Sequence, residues 1–374
     1  MARFALPTLD DLRALGTPHE NAISIYAQTS PAPDERDASH LTAKSAFDRA
    51  IRHLRESGIR HGTETALRDR WESVANDESW SRLSHSLAIF IADDLTEMFV
   101  LPNRLENELQ VGTFFDVRQL VRPVTTPQTA FALTLSTNGW NLWHATPTTV
   151  AAPMELSGTY GADAVEASNH PTLRDRDHVG RLAGGEGKKV LLEAYSKRVA
   201  EAVKSELAPV DPNAERPLFL FATDPLLDLY PAADHLRQII PVPGGPDDLR
   251  ADEIDAAIRR ELTAINARNN NARVDRIADG MSRGLVATEL ADISHAASAG
   301  AVSTLIYNVT HDIKGTIDDG SGDITYADDG YDLLSRIAVT VLDHGGEAIA
   351  VRPDEITALI WNDTAVAGLR FPVT

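Results

Sequence analysis

Cysteine is absent from the 374 residues. That excludes disulfides, thiolate metal sites and a cysteine nucleophile. No apolar run reaches the roughly 18–20 residues that a membrane-spanning helix requires, so no membrane partner is expected. The opening stretch, MARFALPTLDDLRALG, carries Asp10 and Asp11 where a secretion signal would be apolar, and it lacks a small-residue cleavage site. The cytoplasm is therefore the expected compartment. Phosphate-binding fingerprints of the Gly-rich kind are missing, as are a His-Glu-x-x-His helix and a Gly-x-Ser-x-Gly elbow. No cofactor is expected. His311, Asp312, Asp318, Asp319 and Asp323 offer oxygen and imidazole ligands. Counted from Asp319, however, the twelfth position, where a calcium loop needs a carboxylate, is Gly330. A solvated acidic loop is the adopted reading, and no metal is expected.

Basic charge is scarce. There are 35 lysines and arginines against 55 acids, a net charge of −20. Such a chain is repelled by nucleic acid in bulk. Residues 251–374 hold 10 basic and 20 acidic groups, so the last third is the most anionic. It is the part least suited to RNA and best suited to a basic protein surface, but the plainer and preferred reading is acidity that merely keeps the protein soluble or suits a salty cytoplasm.

What is present reads as alternating strands and helices. AISIYA (22–27) has strand alternation, and Phe47, Ile51 and Leu54 mark a helix over 38–57, capped by Asp37 or Ser39 and stopped by Gly58. A second helix is expected over 64–75. Two apolar runs flank residues 93–96 as a hairpin, and residues 110–121 suit another strand. A hairpin over 131–146 turns at Asn138-Gly139, a pair suited to positive φ. A polar loop follows over 157–187, then a helix over 188–206 and a buried strand over 217–223. Helices are expected at 251–268, 272–283 and 286–298, and a strand at 301–308. A polar loop with six aspartates spans 311–330. The helix over 331–344 has Asp329 as its expected cap and Gly345-Gly346 as its stop. Strands are expected at 347–351 and 357–361. Polar, proline-bearing boundaries at 122–129 and 240–249 divide the chain into 1–126, 127–249 and 250–374. The alternation predicts α/β layers, with a mostly parallel sheet in the last third.

Several strings, taken in order, resemble the bacterial relatives of archaeo-eukaryotic class I release factors and of Pelota. GLVATELADISHAASAGAVSTLIY (284–307) and DLLSRIAVTVLDHGGEAIAV (332–351) are similar to the start and close of that family's third domain. PLFLFATDPLLDLY (217–230) resembles the end of the middle domain. Ser24-Ile25-Tyr26 and Thr29, ahead of the long helix, are similar to the N-terminal domain of the bacterial members. The resemblance implies three domains: an N-terminal α/β domain, a ribonuclease-H-like middle domain, and a C-terminal α-β-α sandwich like the kink-turn-binding ribosomal proteins. It also implies a middle domain that reaches the peptidyl-transferase centre and a third that docks partner translation factors.

In that family the middle domain carries Gly-Gly-Gln on a loop before a long helix. Here the corresponding stretch reads LAGGEGKKVLLEAY (182–195), which places Gly184, Gly185 and Glu186 as the candidate catalytic tip. Glutamine offers two amide donors, whereas glutamate at neutral pH only accepts. The backbone N–H at Glu186 remains available to polarise a carbonyl. The plainer reading is a glycine turn feeding a helix whose first turn favours an acid. Along the helix, Leu192, Tyr195, Val199 and Val203 share one arc, and Lys189, Lys197 and Lys204 share another. With Arg174, Arg176, Arg181 and Lys188, this stretch is the candidate RNA-binding surface. Residues 174–204 hold eight basic and five acidic groups. The alternative is a solvated face with Glu193 and Lys197 paired four residues apart.

The Asn-Ile-Lys-Ser string that reads stop codons in the family is absent. The resemblance thus implies a non-decoding, ribosome-associated factor in rescue, hibernation or peptidyl-tRNA release. Ribosomal or transfer RNA would meet the middle domain, and a translational GTPase or other protein would meet the acidic third domain. If the chain performs chemistry, the expected reaction is peptidyl-tRNA ester hydrolysis. The alternative is a protein-interaction or antitoxin-like module that keeps the fold without ribosome binding or catalysis.

Overall fold

The computed structural model describes Arg3 and residues 6–30, 35–101, 103–126, 128–147, 149–160 and 185–373. The fold is α/β throughout. Three main sheets, each with its own helices, give the three-domain architecture. They group into two compact units, Met1–Pro127 with Ala264–Thr374, and Gln128–Thr263.

The first unit begins with four antiparallel strands, β1 (Ala22–Gln28), β2 (Ser86–Ile91), β3 (Thr96–Leu101) and β4 (Glu108–Gly112), in the order β3-β2-β1-β4. Period-two alternation buries both faces. Ile23, Ile25, Leu87, Ile89 and Val100 enter a core closed by Phe47, Ile51 and Leu54 of helix Arg36–Glu56 and by Trp71 of helix His61–Ala75. Phe47 and Trp71 stack 4.8 Å apart. The opposite face sends Tyr26, Phe90 and Phe99 into a second core, shared with Leu334, Ile337 and Val341 of the last helix, Leu333–Asp343. The expected hairpin at 93–96 is present. The cap of Arg36–Glu56 differs: Glu35 is the N-cap and its side chain makes no capping hydrogen bond, while Asp37 lies in the first turn.

The second unit holds five strands: β5 (Ala130–Leu135), β6 (Trp140–Thr146), β7 (Thr149–Pro153), β8 (Leu218–Ala222) and β9 (Ile239–Pro243). Their order is β7-β6-β5-β8-β9. β6 runs antiparallel to β5 and β7, and β8 is parallel to both β5 and β9. A mixed sheet with this order, and with only its second strand reversed, is the ribonuclease-H-like arrangement. The β5–β6 hairpin turns where expected, but neither Asn138 nor Gly139 takes positive φ. A longer turn closes instead, with the Ser136 N–H donating to the Gly139 carbonyl at 2.9 Å and the Asn138 N–H to Ser136 Oγ at 3.0 Å. From helix Ala251–Ala278, Arg259 donates to the carbonyls of Gln128 and Thr146, each at 2.7 Å, and so ties the start of β5 to the β6–β7 turn. This helix is continuous, where two were expected, and the division between the units falls within it.

The C-terminal part of the first unit contains β10 (Val286–Ala287), β11 (Val302–Asn308), β12 (Lys314–Ile317), β13 (Ile324–Tyr326), β14 (Tyr331–Asp332), β15 (Glu347–Val351) and β16 (Ala365–Leu369). The main sheet has the order β10-β16-β11-β15, and helix Leu290–Ser298 packs against it. Only β11 and β15 are parallel, so the expected mostly parallel sheet is in fact mixed. The cause is β16. Residues 365–369 insert antiparallel between β10 and β11, whereas the expected strand at 357–361 is irregular. Leu359 is fully exposed there, and Asn271 accepts the Thr357 N–H at 2.7 Å. The aspartate-rich loop is not featureless: β13, β12 and β14 form a small antiparallel sheet within it. Asp332, rather than Asp329, caps the last helix by accepting the Ser335 N–H at 2.6 Å. Gly345, at φ +71°, ends it.

A buried charge cluster sits inside the first unit. The Arg118 guanidinium donates to Glu108 and to the His311 carbonyl. It lies 3.5 Å from Asp116 Oδ2 and 3.6 Å from Asp332 Oδ2. Tyr26 donates to the Asp116 carbonyl and Tyr307 to the Arg118 carbonyl, both at 2.7 Å. Burial pushes the Asp116 carboxyl up to about 6 and Asp332 well above the usual range, against the pull of the arginine. Asp116 and Asp332 thus hold a proton more readily than either would in water.

Candidate nucleic-acid interface

Helix Gly185–Leu207 organises this surface. It starts three residues earlier than the sequence pattern indicates, so Gly185, Glu186 and Gly187 belong to the helix instead of the preceding loop. Gly184, Arg174, Arg176 and Arg181 lie outside the described residues. The helix is 23 residues long, hence about 33 Å at a rise of ~1.5 Å per residue.

Its two arcs separate as their spacing predicts. Leu192, Tyr195, Val199 and Val203 are all buried, against Phe131, Leu133, Leu218 and Leu220 of the sheet. Tyr195 further donates to the Ser136 carbonyl at 3.0 Å, which fixes the helix to the β5–β6 turn. Lys189, Lys197 and Lys204 are exposed. Among the described residues no ion pair joins Glu193 to Lys197, and none engages the other two lysines. Three cations that pair with no carboxylate among the described residues therefore line the solvent side of a helix whose other side is locked in a core. They are spaced over about 22 Å of axis at ~1.5 Å per residue, close to the reach of several consecutive phosphates.

The far end of the helix carries a feature that sequence reading missed. Glu206 is buried, and its carboxylate accepts four hydrogen bonds. They come from the Ser157 N–H and Oγ–H at 2.9 Å each, the Gly158 N–H at 3.0 Å and the Tyr160 hydroxyl at 2.8 Å. The Ser157 amide leads in holding this carboxyl down to about 2. Residues 157–160 are thus clamped at the base of the helix, at the end opposite Gly185. The available sequence signal was a glutamate on the apolar side of the helix, one residue before the buried Leu207, with a Ser-Gly-x-Tyr string upstream.

A mixed sheet of ribonuclease-H-like order, a long helix locked to it by an apolar stripe, and a glycine-rich entry to that helix make up the middle part of the chain, and this part is similar to a release-factor-like family. Residues 127–268 match the model of bacterial archaeo-eukaryotic release factor family 11. Among solved structures, the archaeal translation termination factor aRF1 is 14% identical, covering 97% of this chain and 96% of its own, with a TM-score of 0.25. Pelota of Archaeoglobus fulgidus is 12% identical over 99% of this chain and 95% of its own, with a TM-score of 0.37. An archaeal Pelota described as ribosome-bound, with ABCE1, is 9% identical over 100% and 96%, with a TM-score of 0.41. No curated protein matches the chain. Among the described residues, no helix is long and apolar enough to cross a membrane.

Proposed function

We propose that this protein is a non-decoding, ribosome-associated factor that applies the lysine face of helix Gly185–Leu207 to ribosomal or transfer RNA. One observation carries the reading. Lys189, Lys197 and Lys204 stand exposed and unpaired among the described residues, in the stretch that matches the release-factor family, on a chain that is otherwise anionic. Lysines in such a setting gain by displacing counterions from phosphate. In this reading segments 1–126, 127–249 and 250–374 act as N-terminal, middle and C-terminal modules in the cytoplasm. The middle module faces RNA, and the acidic third meets a translational GTPase or another protein with a basic surface.

Rescue or hibernation fits better than catalysis. Glu186 cannot supply the amide donors of a glutamine, and Gly185 and Gly187 sit within helical backbone. Co-sedimentation of the full chain with ribosomes across a salt series tests binding. Binding that falls steeply with salt, and that is weakened in a K189E/K197E/K204E variant, supports the proposal. Salt-independent binding, or none, refutes it. Peptide release from stalled complexes, compared between the wild type and a G185A variant, tests the enzymatic version. Equal release in both removes the glycine tip from consideration.

A further inference from the structure

A cationic hollow of about 210 Å³ lies in the most acidic part of the chain. Arg273 and Arg276, near the end of helix Ala251–Ala278, and Arg283, just beyond it, line one side. Ser303 and Thr304 at the start of β11 line the other, and Glu347 at the start of β15 stands beside Arg273. Packing keeps the hollow open. A Cβ on Gly368 would come within 3.1 Å of Ile277 Cγ1 and 3.5 Å of Ser303 Oγ, so a larger residue there would fill the floor. Arg273 Nη1 is 3.4 Å from Glu347 Oε1. Arg276 and Arg283 are exposed and make no ion pair among the described residues.

We propose that this hollow binds the terminal phosphoryl group of a small phosphorylated metabolite. Three guanidinium groups against one carboxylate leave a local charge that matches a phosphate dianion. Guanidinium forks bind phosphate oxygens through paired, charge-assisted hydrogen bonds, and Thr304 adds a hydroxyl at the wall. The surroundings favour a compact ligand. Residues 251–374 carry twice as many acids as bases, so a long polyanion is repelled outside the hollow while a single phosphoryl group inside it is not. The site is separate from the lysine helix and does not rest on the ribosomal reading.

Isothermal titration of the full chain with inorganic phosphate, pyrophosphate and AMP tests the assignment. Saturable binding of these probes is expected. R276Q and R283Q should each weaken it about tenfold or more, the usual worth of a charged hydrogen bond, and E347Q should strengthen it. Both arginines are exposed, so these variants should melt like the wild type. The absence of saturable binding with every small phosphate overturns the proposal, as does unchanged affinity in the R276Q/R283Q double variant. Tighter binding of a short single-stranded RNA or a phosphoserine peptide than of any small phosphate also overturns it, because the site would then serve a macromolecule.

Discussion

Arg118 and Asp332 face each other 3.6 Å apart, both fully buried, and bring the first sheet of the chain onto its last helix. Asp332 also caps that helix, so a single carboxylate serves the ion cluster and the backbone together. Replacing Arg118 by Met keeps much of the volume but strands Asp116, Glu108 and Asp332 without a cation. The expected loss is about 3–5 kcal/mol of unfolding free energy, read by urea denaturation.

That loss should depend on pH. Asp116 and Asp332 titrate higher in the folded protein than the 3.8 of a free aspartate, because burial disfavours their charge. A raised carboxyl pKa favours the folded state fully below the unfolded value, and the contribution disappears as pH rises through the folded value. Wild-type stability should therefore lose this contribution from about pH 4 upward, through about 6 and beyond. The R118M deficit should be larger near pH 8 than near pH 5, since the stranded carboxyls take up protons at the lower pH. A deficit that does not vary with pH would contradict this account.

At Glu206 the sign is reversed. Its pKa is lowered from 4.5 to about 2, so its contribution is present above 4.5 and is lost as pH falls through about 2. All four of its partners donate. In an E206Q variant the new amide nitrogen must therefore meet a donor whichever way it turns. The expected result is faster hydrogen exchange at the Ser157 and Gly158 amides, with the β5–β8 core unaffected. Unchanged protection would show that the clamp is not held by charge.

For the lysine face, the measurable quantity is the slope of log binding constant against log salt. Each phosphate left without its lysine should reduce that slope by roughly 0.7–0.9. The triple K189E/K197E/K204E variant should therefore have a slope shallower by about 2–3. A parallel shift without a change of slope would mean that the lysines act elsewhere than on phosphate.

Leu359 offers a control. It is fully exposed in an irregular segment, although its apolar neighbours read as a strand. L359S should change stability by less than about 0.5 kcal/mol, as surface substitutions do. A larger loss would mean that 357–361 is paired in solution.

Much of this was legible in the sequence. The β2–β3 and β5–β6 hairpins, the stripe from Leu192 to Val203 and the exposure of Lys189, Lys197 and Lys204 follow from periodicity alone, because a half-buried element must segregate its apolar side chains. What escaped detection depended on distant partners. TALIW has a stronger strand composition than AVAGL, yet AVAGL is the strand, because small residues fit the slot between β10 and β11. The two helices read at 251–268 and 272–283 are continuous as far as Ala278, since polar asparagines at 269–271 need not break a helix when Asn271 is anchored to Glu355 and Thr357. Arg118 and its carboxylates are scattered over more than two hundred positions, so only the folded chain brings them together.

The placement of β16 also governs how the molecule is made. Its five residues, Ala365–Leu369, follow every other strand of their sheet in the chain, yet they occupy an interior position of it. The inner face of the N-terminal sheet is covered by a helix from the same late region. Tyr26, Phe90 and Phe99 are therefore made well before the helix that covers them, Leu333–Asp343. A partly folded chain in which that helix has not docked exposes this apolar face and is prone to aggregate.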